Sequence, residues 1–286
     1  MSRQTGRMTS TSEVVGGTSE HTPSGPDPRT LLINVTIAAV LGAGLMVLAH
    51  ELAHLVAGLA QGVPGILYSY GVDHPGATPT QLGIAAIAGP VFSLVTGAVM
   101  AAWTPLRTKG GFGHLLWLMF AFASLMEGIG YLEIAPFGAG DTASAITNLG
   151  WPQWISLIML AVGIAGQFAL ARAFAPHVGR HAGPEKPARM AFTLWPWLIA
   201  TAINLAIVAL NLSTARMPIS AGEMVAIAAA GTAVLVFLPM SMIFQGAMNR
   251  ETPSPLRLSL WPIGGLVALV VLLLVNQALN FGLSVG

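Results

Sequence analysis

Residues 45–62, LMVLAHELAHLVAGLAQG, set His50, Glu51 and His54 in an otherwise apolar run. Acids and bases in hydrocarbon cost roughly 2.5–3.5 kcal/mol each on insertion scales, so a chain that keeps them there has a use for them. Spaced four apart, His50 and His54 lie about 40° apart around a helix and roughly 6 Å along it, within reach of one ion. Glu51 stands beside His50, where its carboxylate can meet a water on that ion. In zinc hydrolases this pattern lets the metal acidify the water while the glutamate takes its proton.

A catalytic zinc takes three protein ligands and keeps one position open. The remaining ionisable groups in or near apolar segments are Asp73, His74, His114, Glu127, Glu133, Asp141 and Glu223. Two of them fall on loops expected beside the outer end of the first helix: His74 in GVDHPG and Asp141 in LEIAPFGAGDTASA. Spacing leaves both open as the third ligand. The chain has no cysteine, which excludes disulfides, thiolate ligands, iron–sulfur clusters and cysteine nucleophiles.

The elements that must position these groups are membrane helices. Of the 286 residues, 54% are hydrophobic and 8% charged, with a mean hydropathy of +0.73. A soluble domain carries about 25% charged residues. The net charge of +1 says nothing about nucleic acid, but no basic patch is interleaved with aromatic residues as such a site requires, so no nucleic-acid partner is expected. The expected fold is all-α: a polytopic transmembrane bundle of about seven spanning helices, with a short β-hairpin loop after the first. The spans are placed near 31–60, 82–103, 114–134, 153–175, 191–212, 222–246 and 259–282.

Residues 1–30, rich in Ser, Thr, Gly and Pro, read as a disordered cytoplasmic tail without a cleaved signal peptide. The loop PHVGRHAGPEKPAR, 176–189, reads as a solvated linker between four front helices and three back ones, because Pro176, Gly179, Gly183 and Pro184 argue against a helix through His177 and His181. With this segmentation eleven Lys and Arg fall on one side of the bilayer and Arg216 alone on the other. The positive-inside rule then puts the N-terminus in the cytoplasm, in a multi-pass protein of the plasma membrane. The first and third helices run the same way, so His54 and Asp141 reach the same leaflet.

His50-Glu51-Leu52-Ala53-His54, the tyrosine-bearing stretch ILYSYGV, Ala88-Gly89-Pro90 opening the next apolar segment, and the Pro/Gly-rich stretch ending in Asp141 together resemble the site-2 protease family. The resemblance covers roughly residues 40–150. It implies an intramembrane zinc metalloprotease in which His50, His54 and Asp141 hold zinc and Glu51 is the general base. It also implies that Pro136 and Gly138 help to place Asp141, that the partners are a transmembrane protein substrate and the lipid bilayer, and that residues 31–150 form the catalytic membrane core, with accessory helices in 151–286. Ser93 stands where the family usually has Asn, and Thr142 follows Asp141 where the family usually has Gly. Familiar members also run the HExxH helix toward the cytoplasm, opposite to the direction that arginine counting assigns here.

Substrate contacts are expected from Ser69, Gly89 and Ser93. The run Ile66 to Tyr70 is expected to offer an exposed edge to which an unwound substrate adds as a strand. His114 is expected at the interface, Glu223 at a helix N-terminus, and Asn276, Gln277 and Asn280 bonded to other helices. Glu127, more than Glu133, is a candidate for tuning the metal surroundings or moving protons. The alternative function is a non-catalytic membrane protein: an inactive protease relative, or one that binds or transports metal.

Overall fold

A computed structural model describes residues 27–214, 216, 227 and 230–286. Helix α1, Pro28–Ala60, begins where Asp27 caps it: its carboxylate accepts from the amides of Arg29 (3.3 Å) and Thr30 (3.0 Å), and Pro28 takes the first helical position. The helix therefore begins three residues earlier than the apolar pattern suggests. The tail assignment, apart from its last four residues, lies outside the described residues.

After α1 come strands β1, Gly65–Tyr68, and β2, Gly71–Asp73, then α2, Pro79–Ala102, capped by a reciprocal Thr78–Gln81 box. Helix α3, Phe112–Ile134, runs into a single 3-10 turn, Ala135–Phe137, and then α4, Gly140–Asn148. Helices α5, Trp154–Ala182, α6, Lys186–Phe192, and α7, Leu194–Thr214, follow. The chain closes with short α8, Phe237–Ser241, and α9, Gln245–Met248, then α10, Ile263–Leu279, and strand β3, Leu283–Val285.

Five helical stretches are long and apolar enough to cross a bilayer: 28–60, 79–102, 112–137, 154–182 and 186–214. The protein is thus an integral membrane protein, with five such spans rather than seven among the described residues. The sixth expected span lies partly outside the described residues. Its described part is a shorter apolar helix, Ala230–Ser241, carrying Pro239. Ile263–Leu279 follows Pro262 and yields to a strand after Gly282; at 17 residues it is about 26 Å long, against about 30 Å of hydrocarbon.

Helix α1 is the central element, packed on α2, α3, α6, α7 and α10. Small residues permit the closest approaches. A Cβ at Gly42 would lie 2.9 Å from the backbone nitrogen of Phe120, and one at Gly97 2.7 Å from that of Leu125, so α3 packs backbone to backbone against both α1 and α2. The main core joins α1 and α3 to α5, α6 and α8 through Met46, Leu118, Phe122, Phe174, Phe192 and Phe237.

The segment 176–189 is not a linker. Helix α5 continues through Pro176 and Gly179 to Ala182, and Gly183, at φ 70°, ends it. Gly179 is there for packing: a Cβ would strike the Met248 carbonyl, so the chain at α9 lies directly on this face of α5. Burial against a neighbouring segment outweighs the local helix-breaking tendency of glycine. His114 and His181, expected to be wet, are 2% and 3% exposed.

The expected hairpin is present, and it gains a third strand. The sheet order is β2-β1-β3, antiparallel throughout, with Leu67 opposite Val72 on one side and Leu283 on the other. Strand β1 therefore has no free edge. The expectation of an exposed edge at Ile66–Tyr70 is corrected: the chain's own Leu283–Val285 lies along it.

Candidate metal centre

Helix periodicity puts His50 and His54 on the same face of α1, and both are buried. Their Nε2 atoms are 2.9 Å apart. The same oxygen of Asp141, Oδ2, lies 2.8 Å from His50 Nε2 and 3.1 Å from His54 Nε2. Asp141 reaches them because α3 ends in a sharp reversal. Ala135–Phe137 makes a 3-10 turn, and Gly138 and Gly140 take φ values of 71° and 75°, a left-handed backbone that side chains disfavour. The reversal brings Asp141, in the first turn of α4, back over the face of α1.

The groups around these three side chains orient them. His54 Nδ1 lies 2.7 Å from the Ala85 carbonyl, which can only accept, so Nδ1 carries the proton and a neutral ring keeps its Nε2 lone pair for the cluster. His50 Nδ1 lies 3.1 Å from Ser93 Oγ. Both partners come from α2. Hydrogen bonds of this kind to the outer ring nitrogen fix the tautomer and orientation of metal-binding histidines. Gly89, also on α2, packs on the two rings: a Cβ there would collide with His54 Nε2 and come within 2.6 Å of His50 Nε2.

Tyr131 completes the walls, its ring stacked on that of His50 at 5.1 Å between centroids and 11° between planes. Neither Tyr131 nor Ala85 was singled out from the sequence. The aromatic at that point in α3 has no local signal, and a backbone carbonyl has none at all.

Two imidazole nitrogens and a carboxylate oxygen, all within 4.8 Å of one another, are a donor set that fits zinc or another divalent first-row ion. His50, His54 and Asp141 are the residues that could hold it. His74, the other candidate third ligand, is not part of this group. Its Nε2 lies 3.3 Å from the His54 carbonyl and its Nδ1 3.2 Å from that of Pro64, and its ring fills the space left by Gly58 and Gly65. It wedges the sheet against α1.

Glu51 is buried and lines a cavity of about 140 Å³. Glu127, Tyr131, Ser69, Asn204 and Asn276 share its lining. Glu127 thus faces the same space as Glu51, while Glu133 does not line it. Ser69 is buried, with its hydroxyl bonded to the Asn280 side chain, so it braces β1 against the end of α10 rather than facing the cluster. Gln277 donates to Asn211 Oδ1 at 2.8 Å and Asn280 to Thr214 Oγ1 at 2.7 Å, joining α10 to α7 as the sequence suggested. Glu223 lies outside the described residues. Compared with protein-family models, with curated proteins and with solved structures, the chain matches none of them.

Proposed function

We propose that the protein is an intramembrane zinc endopeptidase, which hydrolyses a peptide bond in or near a transmembrane segment of another membrane protein. The observation that carries this reading is the convergence of Asp141 on both Nε2 atoms of HELAH, from 87 residues or more along the chain, inside a bundle of apolar helices. A half-buried acid and two buried imidazoles are costly to hold together without an ion to share.

Zinc, when bound, supplies Lewis acidity for the scissile carbonyl and acidifies the attacking water. The chain's own residues do the rest. His50, His54 and Asp141 hold the ion, Ser93 and the Ala85 carbonyl fix the two rings, and Tyr131 keeps the His50 ring from turning. Glu51 accepts the proton of the attacking water at its carboxylate and returns it to the leaving amine nitrogen. The cavity beside Glu51 is mostly apolar, but Glu51, Glu127, Ser69 and Asn276 on its wall give polar partners to the waters that hydrolysis requires, and its volume has room for several.

Helical substrate must unwind before its backbone can be attacked, and an extended segment calls for a strand partner. Since β1 is paired on both sides, the edges left for such a segment are those of β2 and β3. The test of the function uses single-span reporter proteins in proteoliposomes. Wild type is expected to cleave a subset of them, and Glu51→Gln to lose cleavage while keeping its zinc. Retained cleavage in Glu51→Gln overturns the mechanism; absence of zinc in folded wild type overturns the enzyme reading in favour of a non-catalytic membrane protein.

A further inference from the structure

A second histidine cluster stands at the other end of α3. His114, in the first turn of α3, faces His181 in the last turn of α5, with ring centroids 5.4 Å apart. His177, one helical turn before His181, stacks over it at 6.4 Å. Phe122 and Phe174 pack on His177, and Phe192 on His181, so the cluster is walled by aromatic rings. His114 is separated from Tyr131, which marks the first cluster, by about 25 Å of α3.

The ring nitrogens are the informative atoms. His114 is 2% exposed, and neither of its ring nitrogens has a hydrogen-bond partner. His177 Nδ1 and His181 Nε2 are likewise buried without one. The other nitrogen of His181, Nδ1, lies 3.0 Å from the Ser254 carbonyl and so carries the proton, which leaves an unshared pair on Nε2. Buried polar atoms are rarely left unpaired. Three histidines with orphaned nitrogens in one place ask for a shared partner. Arg180, beside them, turns its guanidinium to Glu251 at 2.5 Å, so its charge is already matched.

We propose that His114, His177 and His181 form a second site, for a divalent first-row metal ion of the zinc class, which ties the start of α3 to the end of α5. Zinc bonds to imidazole nitrogen are about 2.0–2.1 Å, which in tetrahedral geometry sets ring centroids about 5 Å apart. The His114–His181 pair already has that spacing. His177, the half-buried member, must turn its ring to bring a nitrogen to the point that the other two share. Two histidines four apart on a helix and a third from a neighbouring helix are a sufficient set, and the outer hydrogen bond from His181 to Ser254 is what such a ligand requires. The fourth position is left to water from the side of His177.

The test isolates this site from the first. Full-length protein carrying His50→Ala and His54→Ala is purified in detergent, loaded with zinc or cobalt alone, and freed of excess. Elemental mass spectrometry is expected to find about one equivalent, with cobalt giving the visible absorption of a tetrahedral site and zinc raising the melting temperature. Adding His181→Ala, or His114→Gln should His181→Ala not yield folded protein, is expected to abolish the bound metal, the cobalt spectrum and the thermal shift together. A folded double variant that binds no metal overturns the proposal, and so does full retention of metal in the folded His114→Gln or His181→Ala background.

Discussion

The Ala85 carbonyl receives a hydrogen bond from His54 Nδ1 at 2.7 Å, and this contact decides which nitrogen of His54 faces Asp141. Since the acceptor is backbone, no side-chain substitution at position 85 removes it. It binds the α2 backbone to the HELAH face of α1, so the ligand geometry depends on how these two helices pack.

Gly89→Ala places a methyl group against both Nε2 atoms. The rings must move, because the neighbouring atoms are the ligand atoms themselves. Zinc affinity is expected to fall at least tenfold, as for changes that misorient ligands. A competition titration against a chelating dye reads this directly, with unchanged affinity showing that the helices can separate without cost.

Ser93→Ala removes the partner of His50 Nδ1 but leaves all three ligand atoms in place. Loss of such a partner typically costs 10–100-fold in metal affinity or activity. The expected signature is faster zinc loss to chelator at an unchanged starting stoichiometry. Wild-type loss rates would mean that Tyr131 stacking alone orients the ring.

Asp141→Ala and His74→Ala should part company. The first is expected to lose bound zinc. The second should keep it and be less stable, by about 1–3 kcal/mol, because the ring's one N–H no longer meets a buried carbonyl and the space between the sheet and α1 is left unfilled. Zinc stoichiometry beside thermal melting, on the same preparations, separates the two effects; zinc lost from folded His74→Ala would return His74 to the ligand set.

Arg189 is 7% exposed, and its guanidinium donates to the Gly183 carbonyl, Gln245 Oε1 and Asn249 Oδ1, each at 2.7 Å. It clasps the end of α5, α6 and α9 together. Arg189→Lys retains the charge but cannot make the three-way fork, so it should destabilise by about 2 kcal/mol or more. A melting temperature equal to wild type would show these bonds to be replaceable.

A proline substitution at Ser69 does not test strand addition to β1. Ser69 is buried against Asn280, so a proline there would disturb packing whatever the substrate does.

The membrane character and the two histidines of HELAH were legible in the sequence because both are local properties. Apolar composition determines the solvent a helix will accept, and a four-residue spacing determines the face on which two side chains project. The hairpin after α1 was legible for the same reason, from a short strand-forming run between turn residues. What the sequence left open was every contact that joins distant segments. Asp141 against His74, the Ala85 carbonyl, the Tyr131 stack and the cover that Leu283–Val285 lays on β1 depend on how helices pack and where the chain turns back. The 176–189 segment shows the same physics in reverse. Its prolines and glycines argue locally for a loop, yet the close approach of the Met248 backbone to Gly179 stabilises a helix there and buries His181. Local propensity differs by about 1 kcal/mol per residue, and a packed interface outweighs it; only the tertiary structure decides where such interfaces form.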